Sequence, residues 1–345
     1  MAEKKPLLIV GTFLSAHAGK RSVCEDLAEK LSQSGRKVLT TSQALNPLAR
    51  LLDMAWTVLS ARNTFQIAQV DLYSGRAFVW AEVVCFLLTW LHKPFVLTLH
   101  GGSLPEFARR WPRRTRRLLN AAAKVTAPSH YLLSALQPYR SDIQLLPNPI
   151  QVDEFTYRPR TSATPKLVWV RSFHNVYNPT LAPKAIAKLK TRYPNIRLWM
   201  VGSDKGDGSL QATQAMARSL NVADAIEFPG GVPKGEISQW LNKGDIFINT
   251  THVDNTPVSV VEAMACGLCV ISTNVGGIPH LLRDEHDALL VEPDNPTAMA
   301  DAIHRILASP QFASMLSLNA RNRAILLDWS SILPQWDALF QEIAN

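Results

Sequence analysis

Cysteine is scarce, with four in 345 residues, at positions 24, 85, 266 and 269. So few exclude a disulfide-stapled scaffold. Cys266 and Cys269 form a CxxC pair, but Gly267 closes a helix there, Cys269 enters the apolar run LCVIS, and no second ligand pair follows. They read as small buried hydrophobes, not as a zinc or redox site. The chain also lacks any apolar run of the roughly 20 residues needed to cross a bilayer. The longest, AFVWAEVVCFLLTWL at 77–91, contains Glu82 and is expected to form a buried helix. The opening MAEKKPLLIVGTF runs straight into a strand-like segment too brief for a cleavable signal, which leads us to expect a cytoplasmic protein. Internal repeats and low-complexity tracts are absent, apart from the likeness of the two halves described below.

Acidic residues are outnumbered, 28 against 36 Lys and Arg, giving a net charge of +8. The excess is concentrated in RRWPRRTRR, which holds Arg109, Arg110, Arg113, Arg114, Arg116 and Arg117 around Trp111. Pro112 marks a helix start, where cations oppose the helix dipole, so these arginines do nothing for the helix itself. They suit an anionic membrane surface or an anionic acceptor, with Trp111 at the interface; a solvated basic face is the alternative. No nucleic-acid partner is expected, because aromatic residues are not interleaved as stacking platforms.

The length allows two domains. Short apolar segments such as LLIVG, KVLTTS, IAQVDLY and PFVLTLHGG alternate with helical stretches, one from about Ser22 to Ser34 and another from Pro47 to Ala61. That alternation predicts α/β architecture with parallel sheets covered on both faces, and ligands at the carboxyl ends of strands. Gly11 and Gly19 would let backbone approach a ligand closely, while Lys20 reads as a surface cation. Ser129 starts a helix as a cap. Residues 151–165 lose periodicity and gather Pro, Ser and Thr, as an interdomain linker does.

The most informative stretch is THVDNTPVSVVEAMACGLCVISTNVGGIPHLL, residues 251–282. Thr256 is expected to cap a helix, Pro257 to occupy its first position, and Val258 to Ala265 to form its body, ended by Gly267. Backbone amides at such a start attract phosphate. Side chains on a helix tilt toward its N-terminus, so Glu262, one turn after Val258, leans toward the same place, with Asp254 at its mouth. A nucleotide sugar, with hydroxyls on both sides of a diphosphate, suits that arrangement.

This stretch resembles the donor-site signature of retaining glycosyltransferases of family four, in which two acids are separated by seven residues; here Asp254 holds the place of the first glutamate and Glu262 that of the second. The resemblance implies the GT-B fold, two Rossmann-like parallel-sheet domains facing each other across a cleft. It implies an acceptor-side domain at 1–157, joined by a C-terminal helix at 326–345, and a donor domain at 158–325. It places His100, at the end of PFVLTLH, near the reacting bond, and Arg171, after KLVWV, on the donor diphosphate. The family's lysine a few residues later is missing: Tyr177 and Asn178 stand in that segment. Ser129 would face the donor phosphates, Asn148 would close the first domain, backbone near Val232 would hold the base, and Gly202, Gly276 and Gly277 would lie against the donor. The expected reaction moves a sugar from a UDP- or GDP-sugar to a hydroxyl of a glycan or lipid-linked acceptor, as in polysaccharide biosynthesis, with no metal and no further cofactor. The missing lysine and the shortened first acid leave a non-catalytic donor-binding scaffold as an alternative, and a nucleotide-sugar epimerase of the same fold as another.

Overall fold

The computed structural model describes residues 5–15 and 22–344. Gly19 and Lys20 lie outside the described residues. The chain divides into two compact units, Met1–Asn148 with Trp329–Asn345, and Pro149–Asp328.

The first unit runs β1 (Leu7–Val10), α1 (Val23–Gln33), β2 (Val38–Thr41), α2 (Pro47–Ser60), β3 (Ile67–Leu72), α3 (Arg76–Trp90), β4 (Phe95–Leu99), α4 (Leu104–Arg110), α5 (Pro112–Ala121), β5 (Lys124–Ala127), α6 (His130–Leu136) and β6 (Gln144–Leu145). Its strands form a six-stranded sheet in the order β2-β1-β3-β4-β5-β6, parallel at every pairing. Continuous apolar strands such as Phe95–Leu99, buried at every position, fit a sheet covered on both faces. One face carries α2 through α6, packed over Phe78, Val84, Leu97 and Leu119. The other carries α1, over Leu7, Ile9 and Leu31. Ser22 starts α1 with a capping box to Glu25, and Gly35 follows its end at φ +83°.

The second unit runs β7 (Lys166–Val170), α7 (Leu181–Leu189), β8 (Arg197–Val201), α8 (Ser209–Ser219), β9 (Ile226–Gly230), α9 (Ile237–Leu241), β10 (Ile246–Asn249), α10 (Val258–Ala265), β11 (Cys269–Thr273), α11 (Ile278–Leu281), β12 (Leu289–Val291), α12 (Pro296–Ala308) and α13 (Pro310–Ile325). Its sheet is ordered β12-β11-β10-β7-β8-β9, again parallel. The final helix, α14 (Trp329–Ala344), belongs to the first unit, where Trp329, Trp336 and Phe340 pack with Leu7 and Leu31.

Two expectations change. Residues 151–165 are not a free linker but part of the second unit. Arg160, 1% exposed, donates to Gly244 O at 2.9 Å, to Asn242 Oδ1 at 3.0 Å and to the carbonyls of Arg158 and Cys266. Burial holds its pKa down at about 10. The apolar helix α3 is only half buried: Phe78, Ala81, Val84, Cys85 and Leu88 face the core, while Val79, Phe86 and Trp90 are exposed. A helix apolar all round reads as buried, but here one layer of helices leaves its outer face uncovered.

Candidate active site

In an open parallel sheet a ligand settles where the strand order reverses, at the carboxyl ends of the strands. In the second unit that point lies between β7 and β10, whose outgoing loops carry Arg171 and residues 250–257. The structure brings Arg171, Asp254 and Glu262 together there. Arg171 Nη2 donates to Asp254 Oδ2, and the guanidinium lies 4.3 Å over the Tyr177 ring. Tyr177, in the segment where a lysine was expected, thus serves as a platform for the arginine. Asp254 Oδ1 also accepts from the Asn255 amide at 2.8 Å. Burial nevertheless pushes the Asp254 carboxyl above its ordinary range, against the pull of Arg171.

Helix α10 starts one residue later than expected. Pro257 is the N-cap at φ −69° and ψ 115°, Thr256 lies outside, and no side chain caps the helix. Proline at that position offers a carbonyl, which accepts from Val260 at 3.1 Å, but no acceptor for the first amides. The far end is tied down instead. Cys266 O accepts from Arg160 and from the Arg158 amide, Ala265 O from Arg321, and Gly267 O from Ser317 Oγ. Gly267 leaves the helix at φ +75°.

Glu262 sits one turn inside this bare start and is 8% exposed. Among the described residues no group hydrogen-bonds its carboxylate. Burial pushes its pKa up to about 7, with Lys234 and Arg171 pulling it down and Glu154 pushing it further up. Two buried donors, Arg171 Nε just after β7 and Ser259 Oγ in the first turn of α10, are also unpartnered among the described residues. Buried polar groups are normally satisfied, so three orphaned groups at one sheet end mark a place for a polar ligand. Lys234 supplies a second cation acting on Glu262, and nothing in its local sequence signals it.

The glycines work on the protein's own backbone. A Cβ on Gly202 would overlap the carbonyl of Arg171, and Cβ atoms on Gly276 and Gly277 would overlap the carbonyls of Asp254 and Asn255. Gly277 N donates to Asp254 O at 2.8 Å. The pair therefore buttresses the loop that carries Asp254. Val232 packs against the cluster that contains Val260 and Val261 of α10.

In the first unit His100 follows β4 and is 5% exposed. Its Nε2 lies 3.0 Å from Asp71 Oδ1, and its ring stacks on Tyr73 with centroids 4.8 Å apart. Burial works against the charge on Asp71, but His100 and Gln69 hold its carboxyl below the ordinary range. Neither Asp71 nor Tyr73 was expected, since Asp71 lies in β3 and Tyr73 just after it, away from His100 in the sequence. A Cβ on Gly11 would press on Cys24 and Asp71, so its closeness is to this cluster. Ser129 caps α6 through Leu132 N at 3.3 Å.

The arginine run divides. Arg109 and Arg110 close α4, where cations suit the helix dipole, and only Arg113, Arg114, Arg116 and Arg117 lie in α5 behind Pro112. Arg114 is consumed by the fold: it makes a two-pronged ion pair with Glu82 and lies over Phe78, Phe107 and Trp111. The other five are exposed, and Trp111 is 44% exposed.

Comparison with known proteins adds a second line of observation. The family described as "Glycosyl transferases group 1" matches residues 157–323, and "Glycosyltransferase Family 4" matches 21–154. A D-inositol 3-phosphate glycosyltransferase of Paenarthrobacter aurescens is 26% identical over 267 residues, 73% of this chain and 65% of that protein. One from Streptomyces bingchenggensis is 29% identical over 157 residues, 44% of this chain and 34% of that protein. The first curated relatives are matched over only about a third to a half of their length. Among solved structures, Anabaena HepE in complex with UDP superposes with a TM-score of 0.80 at 17% identity, covering 98% of this chain and all of that one (100%). Sucrose-phosphate synthase of Thermosynechococcus elongatus gives 0.77 at 18% identity, with 99% of each chain covered. At such identities the likeness is one of fold.

Proposed function

The chain belongs to the GT-B glycosyltransferases of family four, and from that premise we propose that it transfers a sugar from a nucleotide diphosphate donor to a hydroxyl acceptor with retention of anomeric configuration. The observation that carries this reading is Glu262, a buried carboxylate without a hydrogen-bond partner among the described residues, beside Arg171 and one turn inside an uncapped helix start. Donor hydroxyls would supply the hydrogen bonds the carboxylate lacks. The diphosphate would take the open amides of Val258 and Ser259, Ser259 Oγ and Arg171 Nε. As the glycosidic bond breaks, negative charge grows on the leaving diphosphate, where fixed donors and cations stabilise it. Arg171, steadied by Tyr177 and Asp254, does this with Lys234 in support, in place of the family's lysine. His100 is retained as the first unit's catalytic residue, with Asp71 fixing its ring.

Because HepE was solved with UDP and with UDP-glucose, UDP-sugars are the first donors to test, followed by GDP-sugars. The acceptor is assigned to glycans or lipid-linked glycans. No helix among the described residues is long and apolar enough to cross a membrane, and a peripheral cytoplasmic location is part of this reading. Transfer assays on wild type and Glu262→Ala test it together. The variant is expected to keep its circular dichroism and lose about 10²- to 10³-fold in turnover, while EDTA leaves the wild type active. Unchanged turnover, or EDTA inactivation reversed by magnesium, would refute the assignment.

A further inference from the structure

The outer face of the helical layer on the first unit is apolar where a water-facing surface is ordinarily polar. On α2, Leu48, Leu52 and Trp56 are 75%, 70% and 70% exposed, and Leu45 just ahead of the helix is 60% exposed. Spacings of three and four place them on one stripe, opposite Met54 and Val58, which are buried in the core. On α3, Val79, Phe86 and Trp90 are 43%, 64% and 65% exposed, seven and four residues apart. The two helices pack side by side, so the stripes share one surface. On its other flank α3 meets α5 through the Glu82–Arg114 pair. Exposed Arg113, Arg116 and Arg117 stand there, next to Arg109, Arg110 and Trp111.

Scattered exposed hydrophobes need no explanation, but a contiguous patch does. Its composition selects the occupant. Residues 45–117 hold ten Lys and Arg against four Asp and Glu. Two of those acids are already engaged, Asp71 by His100 and Glu82 by Arg114. Leucines and aromatic rings on helices, flanked by exposed arginines, match a surface that offers acyl chains at one depth and phosphates just above it.

We propose that this face docks on an anionic lipid surface. Helices α2 and α3 lie in the interface plane with Leu48, Leu52, Trp56, Phe86 and Trp90 entering the acyl boundary, and the exposed arginines of α4 and α5 meet headgroup phosphates. This deepens the peripheral part of the reading above without depending on sugar transfer. Vesicle binding and donor binding are separate readouts, so either can fail alone.

The full chain is co-sedimented with phosphatidylcholine vesicles, with and without phosphatidylglycerol. Binding is expected to the anionic vesicles, with a blue shift of tryptophan emission. The surface variant Leu52→Ser, Trp56→Ser, Phe86→Ser, Trp90→Ser should lower partition at least about tenfold. Arg113→Gln, Arg116→Gln, Arg117→Gln should lower it about fivefold per arginine, with weaker salt dependence. Thermal melting of each variant reports folding. No binding by the wild type, or equal binding by the apolar variant, overturns the proposal. So does a dimer in sedimentation velocity that the apolar variant dissolves while vesicles stay unbound, because the occupant is then a second copy of the chain.

Discussion

At the carboxyl end of the first sheet Asp71 is gripped by His100 and Gln69, and the imidazole is stacked on Tyr73. At the corresponding end of the second sheet Glu262 has burial without hydrogen bonds to its carboxylate, and Arg171 Nε and Ser259 Oγ lack partners, among the described residues. Both sites put a carboxylate beside a nitrogen-bearing side chain at the strand ends. In one the two groups are spent on each other, which fixes a histidine. In the other they are held apart from full satisfaction, at a cost in stability, and are left available to a ligand. The two ends of α10 repeat the contrast within a single helix, since arginines and a serine tie its last carbonyls and no side chain caps its first amides.

The contrast predicts mutations of opposite sign. Glu262 has a folded-state pKa of about 7 against an ordinary 4.5, so its charge destabilises the fold above that range. Its penalty is absent below pH 4.5, grows as pH rises, and is complete above about 7. Glu262→Gln should therefore raise stability at pH 8 by up to roughly 3 kcal/mol and by nothing at pH 4. Urea unfolding at the two pH values measures it, and a pH-independent difference would break the comparison. Asp71 is the reverse case. Its folded pKa is depressed, so its contribution is present above the ordinary 3.8 and fades as pH falls below it. Asp71→Asn should cost about 2 kcal/mol at pH 7, and a neutral or stabilising result in the same assay would show that the first cluster is not self-satisfied. The smallest effect concerns Lys234. Lys234→Met should weaken donor affinity about fivefold, the effect of roughly 1 kcal/mol in a partly solvated charge interaction. Calorimetry decides this, and an unchanged constant would remove Lys234 from the site.

Which features the sequence disclosed follows from their range. Strands such as Leu7–Val10 and Phe95–Leu99, and the helix Val258–Ala265, are written in local periodicity and punctuation, and the parallel character of the sheets follows from their alternation, whereas the strand order within each sheet does not. Glu262 is visible because one helical turn relates it to the helix start. Asp71 was missed because it lies 29 residues from His100, joined only by the pairing of β3 with β4. Lys234 acts on Glu262 across a loop and has no local signature. Thr256 looked like a cap because its residue type favours one, but the turn closes one residue later on the Pro257 carbonyl. The open face of α3 escaped for another reason. A helix apolar on every side gives no hint of which side is left uncovered.

The central claim is that Glu262 is held ready for donor hydroxyls, and the pH dependence of donor affinity tests it most directly. A bound hydroxyl favours the ionised carboxylate, so wild-type affinity for a UDP-sugar should rise with pH up to about 7 and then level, while Glu262→Gln should bind weakly and without slope. A flat wild-type profile, or the same slope in the variant, would contradict the account.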